Sequence, residues 1–306
     1  MAGALKKGAG AATLGPSLKL LEPASYHHPG RGALRLMIFW NPADEAIVPP
    51  RLSPLLKSAA RAILPKGARE VISRLGSRAL APWYWGSGVA CPLCGGRFRR
   101  FKTFVVDPTY HNLMCPRCRS LERHRLLWLY LCHRTRIFTQ PLRLLHLAPE
   151  YCLYQACRSA PRLTYITAGL DASFIQVELD LVHTPFKGDL FEVIICCHVL
   201  EHIGDDLAAL RELRRVLKPG GLAFLQSPLD YRREATFEDA TVVTPADRAR
   251  VFGQRDHVRI YGRDYQDRLA AAGFAVTVDP YVKTLGPELI SRYGLIAEDD
   301  LYIGTK

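Results

Sequence analysis

Residues 189–221, DLFEVIICCHVLEHIGDDLAALRELRRVLKPGG, constrain the fold more than any other stretch. Phe191, Val193, Ile194, Ile195 and Cys196 form a near-continuous apolar run, the pattern of a parallel strand covered on both faces. The run ends in a polar elbow, Cys197 to His202. Asp205 or Asp206 can then cap a helix whose Leu207, Leu210, Leu213, Val216 and Leu217 recur at helical spacing. Lys218-Pro219-Gly220-Gly221 is expected to stop that helix, because proline cannot continue it and glycine accepts a left-handed cap. A second apolar run, Leu222 to Gln226, follows at once. Strand, helix and strand in this order imply a right-handed crossover. Ligands of such sheets bind beyond the carboxyl ends of the strands, so the elbow at 197–202 should face a site.

With these residues, FEVIICCHVLEHI followed by LRRVLKPGG, the chain resembles the middle of class I S-adenosylmethionine-dependent methyltransferases, close to the type 11 pattern. The likeness runs outward over residues 140–306. It implies an α/β fold: a seven-stranded Rossmann-like methyltransferase domain with S-adenosylmethionine as cofactor.

Cys91-Pro-Leu-Cys94 and Cys115-Pro-Arg-Cys118 are two CxxC knuckles. Each curls the backbone so that two thiolates reach one ion, and together they complete a tetrahedral four-sulfur site. Soft thiolates favour zinc or iron–sulfur over hard cations. Structural Zn2+ is the expectation, with no open coordination position for catalysis. Phe98, Phe101, Phe104 and Val105 suggest the short strands of a zinc ribbon. Together, CPxCxSLERHR and the later LHxAPE resemble a narrower bacterial family that pairs such a ribbon with a methyltransferase domain.

Charge separates the two halves. Of a net +12, residues 1–125 carry 20 Lys+Arg against 6 Asp+Glu, and residues 126–306 carry 21 against 23. The basic character therefore belongs to the front, as for a chain that meets nucleic acid, an anionic membrane surface or an anionic substrate. Eight cations surround the ribbon: Arg97, Arg99, Arg100, Lys102, Arg117, Arg119, Arg123 and Arg125. They read either as phosphate contacts for RNA or as a solvated face. No run of about 18 apolar residues spans a membrane, and the N-terminus lacks a signal-peptide core. Four of nine cysteines have metal spacing and five are scattered, which suggests a reducing compartment and a cytoplasmic location.

Four segments are expected. Residues 1–50, rich in Ala, Gly and Pro, read as a poorly structured leader, with a transit peptide as the alternative. Residues 51–88 form a basic amphipathic helical segment, split near Pro65-Lys66-Gly67. Residues 52–80 of it can lie on an anionic membrane surface, or dock on the domain. Residues 89–125 are the ribbon and 126–306 the methyltransferase domain.

The first strand of that domain is expected over Leu142–Leu147, ending in Ala148-Pro149-Glu150. The family usually shows an acid and a glycine-rich turn here; this chain has His146, Ala148 and Glu150 at the cofactor turn. Glu150 can pair with the cofactor ammonium or cap the next helix. A second strand is expected at Leu163–Thr167. The acid that normally bonds the ribose is replaced by Gly169, and Asp171, two residues on, can substitute or cap a helix. After a third strand, Ile175–Leu179, Asp180 matches the position that contacts the adenine, with Leu181 beside it. Cys197 and His198 of the elbow complete the cofactor residues that the resemblance implies. A long polar insertion, 228–262, precedes a helix over Arg263–Ala272 and two antiparallel strands, Phe274–Val278 and Asp300–Gly304.

Methyl transfer needs alignment and exclusion of water. A general base is needed where a hydroxyl or amine must lose a proton. His257, His198 and His202 are the candidates, each with a structural role as the alternative. The expected function is methylation of a small-molecule O- or N-acceptor. RNA methylation through the ribbon, or a non-catalytic scaffold with a decayed cofactor pocket, are the other readings. The sequence assigns no oligomeric state.

Overall fold

A computed structural model describes residues 66–103, 113–170 and 174–306. Asp171, the leader and the first half of the basic segment lie outside the described residues.

Helix α1 (Lys66–Leu80) leads through a 3-10 turn, Ala81–Tyr84, into the antiparallel pair β1 (Trp85–Ala90) and β2 (Arg97–Phe98). Helix α2 (Glu122–Arg134) leaves the four-cysteine ribbon and enters an alternating array. That array runs β3 (Leu142–Leu147), α3 (Tyr151–Arg158), β4 (Leu163–Gly169), β5 (Val177–Glu178), β6 (Phe191–Cys197), α4 (Asp206–Val216) and β7 (Leu217–Gln226). The insertion carries β8 (Phe237–Glu238), α5 (Pro245–Phe252) and β9 (Arg259–Ile260). Then come α6 (Tyr265–Ala271), β10 (Ala275–Asp279), α7 (Tyr281–Thr284), α8 (Gly286–Tyr293) and β11 (Leu301–Thr305).

The main sheet has seven strands in the order β10-β11-β7-β6-β3-β4-β5, with β11 antiparallel to both neighbours. Its order reverses between β3 and β6, which pair in parallel. In open α/β sheets such a reversal opens the ligand crevice at the carboxyl ends of the two strands. This is the seven-stranded Rossmann-like architecture that the family resemblance implies.

Both faces of the sheet are covered, as the unbroken apolar runs demand. Leu145, Ile194, Cys196, Ala223 and Leu225 pack with α4 and α6. Leu144, Val193, Ile195, Phe224 and Ile303 pack with α2, α3 and α7. Phe98, Phe101, Val89 and Ala81 build a separate small core around the cysteines. Arg125 locks that core to the domain: wholly buried, it donates to the carbonyls of Leu113, Ser120, Tyr293 and Gly294 and stacks on Phe101.

Several expectations change. Helix α4 ends at Val216 rather than at the KPGG turn, and Leu217 already pairs with Phe191 in the sheet. Lys218 precedes a proline and is pushed out of the helical region, so LKPGG becomes the start of β7. Gly221 is needed there because a Cβ would meet the carbonyl oxygens of Lys218 and Glu192 at 2.9 and 3.0 Å. Asp205 is the cap, accepting from Ala208 N at 2.9 Å, whereas Asp206 is buried against Tyr261 and Arg268. The third strand shrinks to Val177–Glu178, and the second extends to Gly169. Helix α1 leaves Val71, Ile72 and Leu75 exposed while Arg74 stacks on Tyr151 and Ser73 accepts from Arg119.

Candidate functional site

Two non-glycine residues occupy the left-handed region at the switch point. Ala148 follows β3 with φ 42°, and His198 follows β6 with φ 54°. Such conformations cost energy and gather at functional sites. Each is held by one backbone bond to the next strand: Ala148 N donates to Ala168 O at 2.8 Å, and His198 N to Gln226 O at 2.7 Å.

At the β3 turn, Glu150 occupies the N-cap position of α3, its carbonyl accepting from Tyr154 N at 2.8 Å while its side chain makes no cap bond. Its carboxylate faces two imidazoles, His124 Nε2 at 3.2 Å and His146 Nε2 at 3.5 Å. Burial raises the Glu150 pKa, but the two histidines outweigh it and hold the carboxyl well below its ordinary range. His146 is fully buried, with Nδ1 2.9 Å from the Tyr165 hydroxyl. Its ring therefore faces the interior, behind the turn. Among the other expected cofactor residues, Asp180 is exposed and accepts from Val182 N at 3.0 Å, and Leu181 and Cys197 are buried. Gly169 ends β4 beside the turn, its missing Cβ 3.4 Å from Ala148 N.

At the β6 elbow the three candidate histidines converge on a residue that the sequence reading passed over. Glu201 is 1% exposed. Its Oε1 lies 3.4 Å from His198 Nδ1 and 4.0 Å from His202 Nε2. His257 comes from the insertion, and its ring centroid is 4.8 Å from that of His202. One ligand atom from each of Glu201, His202 and His257 lies within 4.8 Å of the others. The spacing His198-x-x-Glu201-His202 carried the signal, since a helical turn brings i and i+3 to one face. Burial lowers the His257 pKa, against the pull of Glu201, so the imidazole is neutral near neutral pH. Burial raises the Glu201 pKa, but His198 outweighs it and the net shift is downward.

The insertion is stapled to the elbow. Val258 N donates to Glu201 O at 3.0 Å. Arg259, 3% exposed, donates to the carbonyls of Leu200, Ile203 and Gly204 and to Glu238. Arg259 thus belongs to the staple, whereas Asp256 faces His202 Nδ1, with Oδ2 at 3.5 Å.

The four ribbon cysteines come together with Sγ separations of 3.6 Å for Cys91–Cys118 and 3.7 Å for Cys94–Cys115. A tetrahedral ion with Zn–S near 2.3 Å needs sulfurs roughly 3.8 Å apart, so the donor set fits zinc. Gly95, at φ 68°, turns the first knuckle, and its N donates to Cys91 O. Of the surrounding cations, Arg117 bonds Cys94 O, Arg119 bonds Ser73 and Arg99 bonds Trp83 O.

Residues 86–278 match the methyltransferase domain family, and the chain belongs to it. A ubiquinone biosynthesis O-methyltransferase of Pseudomonas aeruginosa is 29% identical over 73 residues, 24% of this chain and 31% of that protein. An uncharacterized protein of Methanocaldococcus jannaschii is 45% identical over 42 residues, 14% of this chain and 18% of that protein. The chain thus spans under a third of the length of these curated relatives. A SAM-dependent methyltransferase from Archaeoglobus fulgidus matches in structure with TM-score 0.41 and 13% identity, over 62% of this chain and 96% of that one. Among the described residues no helix is long and apolar enough to cross a membrane.

Proposed function

We propose that the protein is an S-adenosylmethionine-dependent methyltransferase acting on a small-molecule O- or N-acceptor. The observation that carries this reading is the convergence of His198, His202 and His257 on Glu201, at the carboxyl end of β6 and beside the sheet reversal. The strained Ala148 turn stands across the same crevice.

Ala148, Asp180, Leu181, Cys197 and His198 would hold the cofactor, with Glu150 and His146 bracing the turn behind it and Asp171 as the ribose candidate. When bound, S-adenosylmethionine supplies an electrophilic methyl group on a positively charged sulfur. Any hydroxyl or amine proton goes to a neutral imidazole, and His257 is the first candidate because burial keeps it uncharged. The stapled insertion holds His257 at the elbow for that step. Cys91, Cys94, Cys115 and Cys118 would hold structural Zn2+.

An oxygen acceptor is favoured by the O-methyltransferase activity named for the Pseudomonas relative. The RNA reading loses Arg125 to the interior, and Arg99, Arg117 and Arg119 to internal bonds. The anionic-membrane reading rests on α1, where Arg74 and Arg78 flank exposed Val71, Ile72 and Leu75. A labelled-cofactor screen against hydroxylated and amino metabolites, with ribosomal RNA in parallel, tests the reading. Label in a small molecule supports it; label in RNA alone overturns it.

A further inference from the structure

We infer that Glu201, His202 and His257 form a binding site for a divalent first-row metal ion, at which a hydroxylated acceptor is held. The inference rests on the methyltransferase reading only for the acceptor; the ion site stands on its own geometry.

The donors come from two segments about one-sixth of the chain apart, yet their ligand atoms lie within 4.8 Å of one another. Glu201 and His257 are buried, 1% and 6% exposed, so this is not an exposed acidic cluster. A buried carboxylate calls for partners. Here it has imidazoles on two sides and one hydroxyl, Ser227 Oγ, at 3.3 Å from Oε2. No lysine or arginine pairs with it in the described residues.

The outer contacts match those of metal-binding histidines, whose second nitrogen is usually held by a carboxylate or carbonyl. His202 Nδ1 lies 3.5 Å from Asp256 Oδ2 and 3.3 Å from Asp256 O. That leaves Nε2, the nitrogen turned toward Glu201, as the donor. His198 Nδ1, 3.4 Å from Glu201 Oε1, stands as a neighbouring fourth group. The frame is fixed in advance, because Val258 N and the Arg259 guanidinium tie the segment bearing His257 to the elbow carbonyls.

Two imidazoles and one carboxylate suit Mn2+, Fe2+, Co2+, Ni2+ or Zn2+ rather than an all-oxygen calcium site. Three protein ligands leave open positions. An acceptor hydroxyl entering one of them would be oriented and made more acidic. His257, once a ligand, no longer serves as the base of the ion-free route: the hydroxyl proton leaves to solvent, the oxygen keeps the electron pair for the methyl carbon, and the carbon–sulfur pair goes to sulfur.

Mn2+ is the probe, because thiolates of the ribbon select softer ions. Full-length, zinc-loaded protein is titrated with Mn2+ and free ion is read by electron paramagnetic resonance. The expected result is one Mn2+ per chain, bound at least about tenfold more weakly in both Glu201→Gln and His202→Ala. Glu201→Gln keeps the buried shape; His202→Ala alters a partly exposed side chain and serves if the first variant unfolds. Absence of Mn2+ binding to the wild type, or equal binding in folded variants, overturns the inference. S-adenosylhomocysteine titration of the same samples separates the two claims: nucleoside binding without Mn2+ binding ends the ion site alone, and Mn2+ binding without nucleoside binding ends the methyltransferase reading alone.

Discussion

His124 Nε2 lies 3.2 Å from Glu150 Oε1, so the helix leaving the ribbon touches the turn that follows β3. Leu121 N donates to His124 Nδ1 at 3.1 Å. That bond makes Nδ1 the acceptor and places the proton of a neutral ring on Nε2, facing the carboxylate. Ser120, one residue before Leu121, lies 3.2 Å from Cys91 Sγ and 3.3 Å from Cys118 Sγ. A short chain of contacts therefore runs from the ribbon sulfurs to the candidate cofactor turn. Replacing Glu150 with Ala strands two buried imidazoles and should cost about 2–4 kcal/mol in urea unfolding. Unchanged stability would mean that the contact carries no load.

Stability should also fall on acidification through His124. Burial holds its pKa below the ordinary value, with Glu150 pulling the other way. Above the unfolded-state value of about 6.5 both states are neutral and the ring makes no difference. Below it the unfolded chain binds the proton first, so stability is lost as pH falls from there toward the lower folded value. Glu150, also displaced downward, adds a loss that begins below its unfolded value of about 4.3. Urea midpoints of the wild type and His124→Gln at several pH values isolate the histidine: the variant should lose less stability between neutral pH and about pH 5. Parallel curves would contradict this.

Arg125 should be a stability residue, not a phosphate contact. Arg125→Met keeps the stem but removes the donor to four carbonyls, of which Ser120 O keeps a bond from Cys115 N. A loss of at least about 3 kcal/mol is expected, with a fall in Tm of roughly 6 °C or more. A variant as stable as the wild type but weaker in RNA binding would restore the nucleic-acid role.

Metal analysis of reductively purified protein should find one zinc per chain in the ribbon, and Cys115→Ser should lower zinc content and Tm together, because such sites contribute folding energy. Less than about half an equivalent in folded wild type would remove the zinc site.

Much of this was readable in the sequence. Strand Leu142–Leu147 appears as expected, and so does the elbow; of the two expected caps, Asp205 is the one used. Apolar periodicity and capping chemistry are local, and local signals survive folding. What was not readable depends on distant partners. Arg125 looks like one more cation of a basic face, because its four carbonyl partners come from chain segments up to 169 residues away. Glu201 looks like an ordinary elbow acid until the insertion brings His257 back to it. The KPGG turn was misplaced because pairing of Leu217 with Phe191 overrides the local stop signal.

His257 should matter for turnover more than for the fold. Once an acceptor is known, His257→Ala should lower turnover by about 10²-fold with cofactor affinity intact, whether the ring takes a proton or binds an ion. Turnover within about threefold of wild type would assign His257 to the staple alone.

Titration of the zinc-loaded protein with S-adenosylhomocysteine by calorimetry reads whether a cofactor site lies at the sheet reversal. One site per chain is expected, weakened about tenfold by Asp180→Ala, the scale of one lost charged hydrogen bond. Equal affinity in Asp180→Ala would move the adenine contact elsewhere. Absence of binding to the wild type would rule out the cofactor site and leave a ribbon-bearing scaffold in its place.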